Sequence, residues 1–174
     1  MAIRMSKPWL IRVTLIITVL ALAGGALSCS SSLLSQKAPD FTLSTMTGAN
    51  VTLSELEGTP VLLNFWATNC PHCVGELYYF EALAQNSEEE IKIIATNVGQ
   101  PISEVERFFD DYEPTMIVAL DKSTHVFANY SQEDNPRGYI PITFLIDSDG
   151  IVKHIKIGAF QSEEELWDTL DSVF

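Results

Sequence analysis

The sequence predicts an α/β domain in which a mixed central sheet is covered by helices. Two continuous apolar runs, at residues 61–66 and 91–98, have the length and composition of buried strands. Segments with apolar residues at helical spacing alternate with such strands over residues 71–130. Near the C-terminus two further strands flank an Asp-Ser-Asp-Gly turn at 147–150, which is typical of an antiparallel pair.

The chain is long enough for one such domain with a short targeting segment ahead of it. It has 174 residues, of which 47% are hydrophobic, so it can bury a substantial core. The formal net charge is −13, and a surface this acidic repels nucleic acid and anionic lipid. The sequence has no phosphate-binding glycine loop. We therefore expect no cofactor and no nucleic-acid partner.

The first 28 residues are predicted to direct the chain to a membrane. Arg4, Lys7 and Arg12 precede the uncharged residues 13–27, which is the pattern of a secretory signal. This apolar run is short for a transmembrane helix, which needs roughly 20 apolar residues. Because positive charges keep the N-terminal end in the cytoplasm, we expect residues 1–28 to be a signal peptide or signal anchor and the folded part to lie outside the cytoplasm.

Cys29 directly follows the apolar run and is a candidate lipidation site. Residues 26–28 (Ala-Leu-Ser) before it and three serines after it resemble a bacterial lipoprotein processing site, although the usual pattern has Leu three residues before the Cys. The alternatives are an uncleaved anchor, or cleavage at residues 21–23 that leaves Cys29 a free thiol. A lone thiol is a liability in an oxidising compartment, which favours lipidation. Residues 29–37 are then a linker, and residues 38–174 the domain.

A hairpin is predicted ahead of the first buried strand. Apolar and polar residues alternate over 41–43 and 51–53, around a Thr-Gly-Ala-Asn turn. The strand at 61–66 follows, and then a helix that begins at Pro71.

Helices and strands then alternate along the chain. A helix at residues 104–112 takes Ser103 as its N-cap. A strand at 116–120 and a helix at 123–130 come next.

An antiparallel pair and one more helix complete the domain. Strands at 142–146 and 151–157 form the pair, and Ser162, followed by three glutamates, suits the N-terminus of the last helix. The predicted order is a hairpin followed by β-α-β-α-β-α-β-β-α.

Cys70 and Cys73 form a C-x-x-C pair where a buried strand ends and a helix begins. A structural zinc site takes four ligands, usually from two such pairs, and the sequence has no second pair. At a helix N-terminus the unpaired N–H groups and the dipole stabilise an anion, so Cys70 should ionise at lower pH than a free thiol. Pro71 suits the first helical turn. We therefore predict a redox-active pair, with Cys70 as the nucleophile and Cys73 as the resolving thiol.

His72 lies between the two cysteines. An imidazolium there would favour the Cys70 thiolate and stabilise the reduced form, which would make the pair more oxidising. The alternative is a solvated helix residue without effect on the thiols.

Two motifs together resemble the TlpA/ResA group of thioredoxin-like proteins. They are residues 64–73 (Asn-Phe-Trp-Ala-Thr-Asn-Cys-Pro-His-Cys) and 139–147 (Tyr-Ile-Pro-Ile-Thr-Phe-Leu-Ile-Asp), and the resemblance extends from the hairpin to the C-terminus. It implies a thioredoxin-like fold with an added N-terminal hairpin. It also implies a cis peptide between Ile140 and Pro141, beside the cysteines, and a substrate-binding surface that includes these two residues and Trp66.

The resemblance assigns roles to two further side chains. Glu76 matches an acidic residue near the active site of ResA-like proteins, and its offset of three puts it on the same helix face as Cys73, within reach of proton exchange. The alternative role for Glu76 is a favourable charge in the first turns of its helix. Asn64 stands where thioredoxin itself has a buried Asp, a neutral choice that is common in the TlpA/ResA group.

The sequence departs from this group in two places. Asn69 replaces the usual Trp before the first cysteine, and the connection at residues 130–141 is several residues longer than usual. In addition, Cys-Pro-His-Cys is the active-site sequence of DsbA-type thiol oxidases. These departures change the surroundings of the substrate site.

The resemblance implies a disulfide reductase of extracytoplasmic apoproteins. The typical substrate is apocytochrome c before haem attachment, with electrons from a membrane thiol donor. One alternative is a thiol oxidase or isomerase of DsbA-like polarity. Another is a non-catalytic metal-binding module that uses Cys70, Cys73 and His72. The residues alone do not decide the direction of electron flow.

Overall fold

The structure, a computed structural model, describes residues 32–86, 90–110 and 112–174. These residues form seven strands, one 3-10 helix (Leu53–Leu56) and four α-helices. The strands are β1 (Thr42–Ser44), β2 (Asn50–Thr52), β3 (Val61–Trp66), β4 (Lys92–Val98), β5 (Ile117–Asp121), β6 (Ile142–Ile146) and β7 (Val152–Ile157). The helices are α1 (Pro71–Asn86), α2 (Ile102–Phe109), α3 (His125–Ser131) and α4 (Glu163–Val173).

The central sheet has five strands in the order β5-β4-β3-β6-β7. Strands β3, β4 and β5 are parallel to one another, β6 pairs antiparallel with β3, and β7 pairs antiparallel with β6. All six residues of β3 are buried, because this strand lies at the centre of the sheet with both faces covered. The predicted mixed sheet and the predicted order of elements are confirmed.

Successive side chains of β3 alternate between two apolar clusters, one on each face of the sheet. Leu62 and Trp66 point to the cluster that α1 and α4 cover, and Leu63 and Phe65 point to the other. The second cluster contains side chains from α3 and from the segments of the hairpin. Because Asn64 shares the parity of its neighbours Leu62 and Trp66, its side chain lies on the face that carries α1.

The N-terminal hairpin attaches to the outer edge of β5. Strands β1 and β2 pair antiparallel, and Thr45 forms an isolated antiparallel bridge with Ala119. The backbone N–H of Met46 donates to the carbonyl oxygen of Val118 at 2.9 Å. The hairpin therefore covers part of an edge that would otherwise present unpaired backbone groups.

Helix α2 differs from its predicted bounds at both ends. It begins at Ile102 after Pro101, so Ser103 lies inside the first turn and is not the N-cap. It ends at Phe109, because Asp110 adopts a left-handed conformation with φ 44° and donates its N–H to the carbonyl oxygen of Glu106. The predicted helix extended to residue 112, but this change in backbone conformation stops it at Phe109.

The residues just before the expected start of the domain already contact it. The N–H of Ser35 donates to the carbonyl oxygen of Val152 at 2.7 Å, and the N–H of Val152 donates to the carbonyl oxygen of Gln36 at 2.9 Å. Lys37 bridges to Ile151. Part of the segment predicted as a linker therefore runs alongside the start of β7.

The predicted signal segment and Cys29 lie outside the described residues. None of the helices within those residues has the length and the apolar character needed to cross a membrane.

Candidate active site

The two cysteines lie where β3 gives way to α1. After Trp66 the chain makes a turn in which the N–H of Cys70 donates to the carbonyl oxygen of Ala67 at 3.1 Å, and α1 starts at the next residue. Cys70 and Cys73 form a disulfide with their Cα atoms 5.3 Å apart. Cys73 is 0% exposed, whereas Cys70 is only partly buried. A substrate can therefore approach Cys70 but not Cys73.

The start of α1 is directed at the Cys70 sulfur. The backbone N–H of Cys73 donates to Cys70 Sγ at 3.2 Å. This N–H belongs to the first turn of the helix, where the amide groups have no helical acceptor and the dipole favours negative charge. The arrangement can stabilise a Cys70 thiolate once the pair is reduced. His72, between the cysteines, is exposed to solvent.

The loop that precedes β6, a direct neighbour of β3 in the sheet, faces the same sulfur. The Ile140–Pro141 peptide is cis, as the resemblance implied. The carbonyl oxygen of Ile140 lies 3.8 Å from Cys70 Sγ. Ile140 is half-buried and Pro141 is buried, so the loop offers mainly backbone at this position.

Trp66 does not belong to this surface. Its side chain is 0% exposed, and its ring packs against Phe108 and Phe109 with centroid separations of 5.2 and 6.0 Å. The expectation that Trp66 contacts substrate is therefore wrong, because alternation along β3 turns this residue into the core beneath α1 and α2.

Glu76 is a buried carboxylate with a donor for each oxygen. The side chain is 1% exposed. Its Oε1 accepts from Asn64 Nδ2 at 2.9 Å, and its Oε2 accepts from the backbone N–H of Phe160 at 3.0 Å. Asn64 Nδ2 also donates to Thr143 Oγ1 at 3.0 Å. The network links α1, β3, β6 and the segment before α4.

Burial raises the pKa of Glu76 to about 7, from an ordinary value of 4.5. The hydrogen bonds from Phe160 and Asn64 and the charge of Lys156 lower this pKa but do not cancel the effect of burial. A carboxyl group with such a pKa exchanges its proton near neutral pH, and it lies one helical turn from Cys73 on the same face. This is the property that a proton acceptor for the buried thiol requires.

Two amide side chains that the sequence analysis did not single out hold the loops of the site. Gln100 hydrogen-bonds the backbone N–H of Thr68, two residues before Cys70, at 2.8 Å. Asn135 is paired with both backbone groups of Tyr139, just before the cis peptide. One signal pointed to Gln100: it follows β4, whose carboxyl end lies beside that of β3 in a parallel pair.

The metal-binding alternative would use Cys70, Cys73 and His72, and the two cysteines are joined in a disulfide here. Among residues 32–86, 90–110 and 112–174, no group of three or more His, Cys, Asp or Glu side chains is placed to hold a metal ion.

Comparison with known proteins agrees with this geometry. The Redoxin family model matches residues 34–170. The thiol-disulfide oxidoreductase ResA of Geobacillus thermodenitrificans (strain NG80-2) is 35% identical over 137 residues, which cover 78% of this chain and 75% of the relative. The thioredoxin-like protein YneN of Bacillus subtilis (strain 168) is 33% identical over 132 residues, or 74% of either chain.

Solved structures share the fold. A crystal structure of a proposed thiol:disulfide interchange protein DsbE from Chlorobium tepidum has a TM-score of 0.70 at 26% identity, covering 82% of this chain and 99% of that one. StoA from Bacillus subtilis has a TM-score of 0.59 at 24% identity, over 75% of this chain and 96% of its own.

Proposed function

This chain belongs to the Redoxin family and is a thiol–disulfide oxidoreductase of the ResA type, and we propose that it acts outside the cytoplasm as a disulfide reductase. The observation that carries the proposal is the asymmetry of the cysteine pair. Cys70 is accessible and faces both a helix N-terminus and a loop carbonyl, whereas Cys73 is 0% exposed. Such a pair suits one attacking and one resolving thiol.

The proposed cycle begins with the reduced pair. Cys70 thiolate attacks one sulfur of a substrate disulfide, so that a mixed disulfide forms and the first substrate sulfur leaves as a thiolate that takes up a proton from water. Cys73 then passes its proton to the Glu76 carboxylate and attacks Cys70 Sγ. The Cys70–Cys73 disulfide forms, the second substrate sulfur leaves as a thiolate that takes up a proton from water, and the two electrons end on the substrate. A membrane thiol donor restores the pair.

The neighbouring residues have proposed supporting roles. Ile140 and Pro141 present backbone to the bound substrate beside Cys70, in line with the 3.8 Å approach of the Ile140 carbonyl oxygen to the sulfur. His72 supplies charge near the thiolate from an exposed position. Salt therefore screens its effect, which leaves the backbone N–H groups as the main stabilising contribution.

The roles of the two cysteines can be separated by substitution. Cys70→Ser is expected to abolish insulin reduction, whereas Cys73→Ser is expected to accumulate a mixed disulfide through Cys70. Mass spectrometry of the trapped adduct identifies the linked residue, and Cys29→Ser is the matched cysteine control. Normal turnover by Cys73→Ser would show that the roles are assigned incorrectly.

The proposed substrate is apocytochrome c, whose haem attachment sequence is C-x-x-C-H. The reduced protein is expected to reduce an oxidised C-x-x-C-H peptide faster than the dithiol form of that peptide reduces the oxidised protein. A DsbA-like oxidase, which the Cys-Pro-His-Cys sequence favours, would show the opposite preference. Both rates can be followed by alkylation of the free thiols and mass spectrometry.

The proposed location is the outer side of the cytoplasmic membrane, with Cys29 as the lipidated residue. The support is the charge and apolar pattern of residues 1–28. Because a single acyl chain holds a protein only marginally, we expect more than one chain on the mature N-terminus. Full-length protein expressed in a bacterium should partition with membranes, and Cys29→Ser should release it or leave it unprocessed. An intact mass that still includes an unmodified Met1 would support the signal anchor.

A further inference from the structure

We propose that Gln100 is a positioning residue that holds Cys70 in front of the N-terminus of α1 when the cysteine pair is reduced. The proposal rests on the proposed function, because it concerns the state in which Cys70 attacks. The hydrogen-bond partners of the Gln100 amide within the described residues are Thr68, Asn97 and Glu104, so Gln100 acts on Cys70 through Thr68.

The amide of Gln100 makes four hydrogen bonds, which use its full capacity. Its Oε1 accepts from the backbone N–H of Thr68 at 2.8 Å and from Asn97 Nδ2 at 2.9 Å. Its Nε2 donates to Thr68 Oγ1 at 2.8 Å and to Glu104 Oε2 at 2.9 Å. Both ends of the amide therefore hold Thr68, one at the backbone and one at the hydroxyl.

The other two partners fix the orientation of the amide. Asn97 lies at the carboxyl end of β4 and is 1% exposed, so it is a rigid donor. Glu104 lies in the first turn of α2 and accepts from the amide nitrogen. With a donor on one side and a carboxylate on the other, the amide oxygen and nitrogen have one favourable arrangement. The loop before Cys70 is thereby tied to β4 and α2.

These hydrogen bonds affect the position of Cys70 most in the reduced state. In the oxidised protein the disulfide already joins Cys70 to Cys73. When that bond is broken, the 3.2 Å contact between the Cys73 N–H and Cys70 Sγ depends on where the loop holds Cys70. The two hydrogen bonds between Gln100 and Thr68, which lies two residues before Cys70, do not depend on the disulfide. Gln100 therefore stabilises the reduced thiolate state more than the oxidised one.

The test is to replace Gln100 with Ala and compare the two redox states. We expect Cys70 to ionise at higher pH in Gln100→Ala, as measured by thiolate absorbance. We also expect the equilibrium with glutathione to move about tenfold toward the disulfide, which makes the pair about 30 mV more reducing. Urea unfolding should show a larger loss of stability for the reduced protein than for the oxidised protein.

A second variant and a control keep the interpretation specific. Thr68→Val removes the hydroxyl acceptor but keeps the backbone N–H, so it should shift the glutathione equilibrium in the same direction by a smaller factor. In Gln100→Ala/Thr68→Val the two effects should not add, because both remove the same contact. Gln85→Ala removes an amide at the far end of α1 that bonds Glu81 and Tyr112, and should leave the equilibrium unchanged.

The outcomes separate this proposal from the proposed function. If Gln100→Ala destabilises both redox states equally and leaves Cys70 ionisation unchanged, Gln100 is merely structural and the proposal is overturned, while the roles of the cysteines stand. If the wild-type protein reduces no disulfide, the proposed function fails, but Cys70 ionisation in the two proteins still decides the role of Gln100. Additive effects of the Gln100 and Thr68 substitutions would also overturn it.

Discussion

At the scale of single residues, Glu76 shows how burial and hydrogen bonding compete. Desolvation disfavours the carboxylate, whereas the donors on Phe160 and Asn64 and the charge of Lys156 favour it, and the pKa settles at about 7. Lys156 is itself paired with Glu165 at 2.7 Å, and its ammonium group lies 5.2 Å from the centre of the Phe160 ring. The Lys156–Glu165 ion pair is thus linked to Glu76 through the ring and the backbone N–H of Phe160.

Glu76→Gln should remove a pH dependence of stability. Between the ordinary pKa of 4.5 and the folded value of about 7, the folded protein keeps a proton that the unfolded chain has released. The contribution of Glu76 to the free energy of unfolding should therefore fall as pH rises through this range, by about 3 kcal/mol in total, and then level off. Glu76→Gln should lack this pH-dependent fall, even if the substitution lowers the free energy of unfolding by a constant amount at every pH.

Urea unfolding of the oxidised protein at pH 4, 6 and 8 measures the effect. The matched control is Glu55→Gln, which neutralises an exposed carboxylate on the 3-10 helix and should retain the wild-type pH profile. An unchanged slope in Glu76→Gln would mean that Glu76 titrates normally, and it would no longer be a suitable proton acceptor for Cys73.

Cys70 and Cys73 were predicted from their C-x-x-C spacing at the start of a helix, and Glu76 from the resemblance and its offset of three from Cys73. Their partners were harder to predict. Thr143 is 79 positions from Asn64, and Phe160 is 84 positions from Glu76. Such contacts depend on the register of β3 against β6 and on the path of the chain after β7, which local patterns do not encode. Phe160, moreover, contributes a backbone N–H that any residue type would supply.

At the scale of elements, α4 follows the rules for helix N-termini closely. Ser162 Oγ accepts from the N–H of Glu165 at 3.1 Å, and Glu163, Glu164 and Glu165 occupy the first turn. The inner face of the helix buries Leu166 and Leu170. The N-cap, the acidic first turn and the spacing of the buried leucines all agree with the sequence pattern, and the prediction of this helix is confirmed. For α2 the backbone conformation of Asp110 decided the C-terminus, and a left-handed Asp gives only a weak signal in sequence.

Ser162→Ala should lower the free energy of unfolding by about 1 kcal/mol, because the N–H of Glu165 loses its acceptor. Ser162→Thr keeps a hydroxyl and should recover most of the loss. Urea unfolding measures both variants, and insulin reduction should stay at the wild-type rate. A loss equal in the Ala and Thr variants would indicate that the capping hydrogen bond does not contribute.

At the scale of the whole molecule, the sheet brings together groups that are distant in sequence. The carboxyl ends of β3 and β4 meet the amino end of the antiparallel β6, because β3 is paired with both. The cysteines, Gln100 and the cis peptide thus converge at one end of the sheet. The β6–β7 turn and residues 35–38, which bond to it, lie at the opposite end. Substitutions there act on stability without contacting the redox pair.

The stability of the molecule in its two redox states should report the direction of electron flow. A disulfide that closes a loop of four residues adds at most about 2 kcal/mol by chain entropy. If the protein is a reductase, its oxidised form should be more stable than its reduced form, and if it is an oxidase, the reduced form should be the more stable one. The two free energies of unfolding should differ by about 1.4 kcal/mol for each 30 mV between the reduction potentials of the folded and the unfolded cysteine pair.

Urea unfolding with and without dithiothreitol gives this difference directly. The double variant Cys70→Ser/Cys73→Ser serves as the control, since reductant should not alter its stability. A reduced protein more stable than the oxidised one would contradict the reductase proposal and support the oxidase alternative.

Asn135 gives the long connection between α3 and β6 a property useful to a protein engineer. Its Nδ2 donates to the carbonyl oxygen of Tyr139 at 2.7 Å, and its Oδ1 accepts from the Tyr139 N–H at 3.0 Å. This side chain, 2% exposed, closes a ring around the exposed tip of residues 136–138. We expect the tip to accept sequence changes, because the two hydrogen bonds that close the ring use the Asn135 side chain and the Tyr139 backbone and no side chain of the tip.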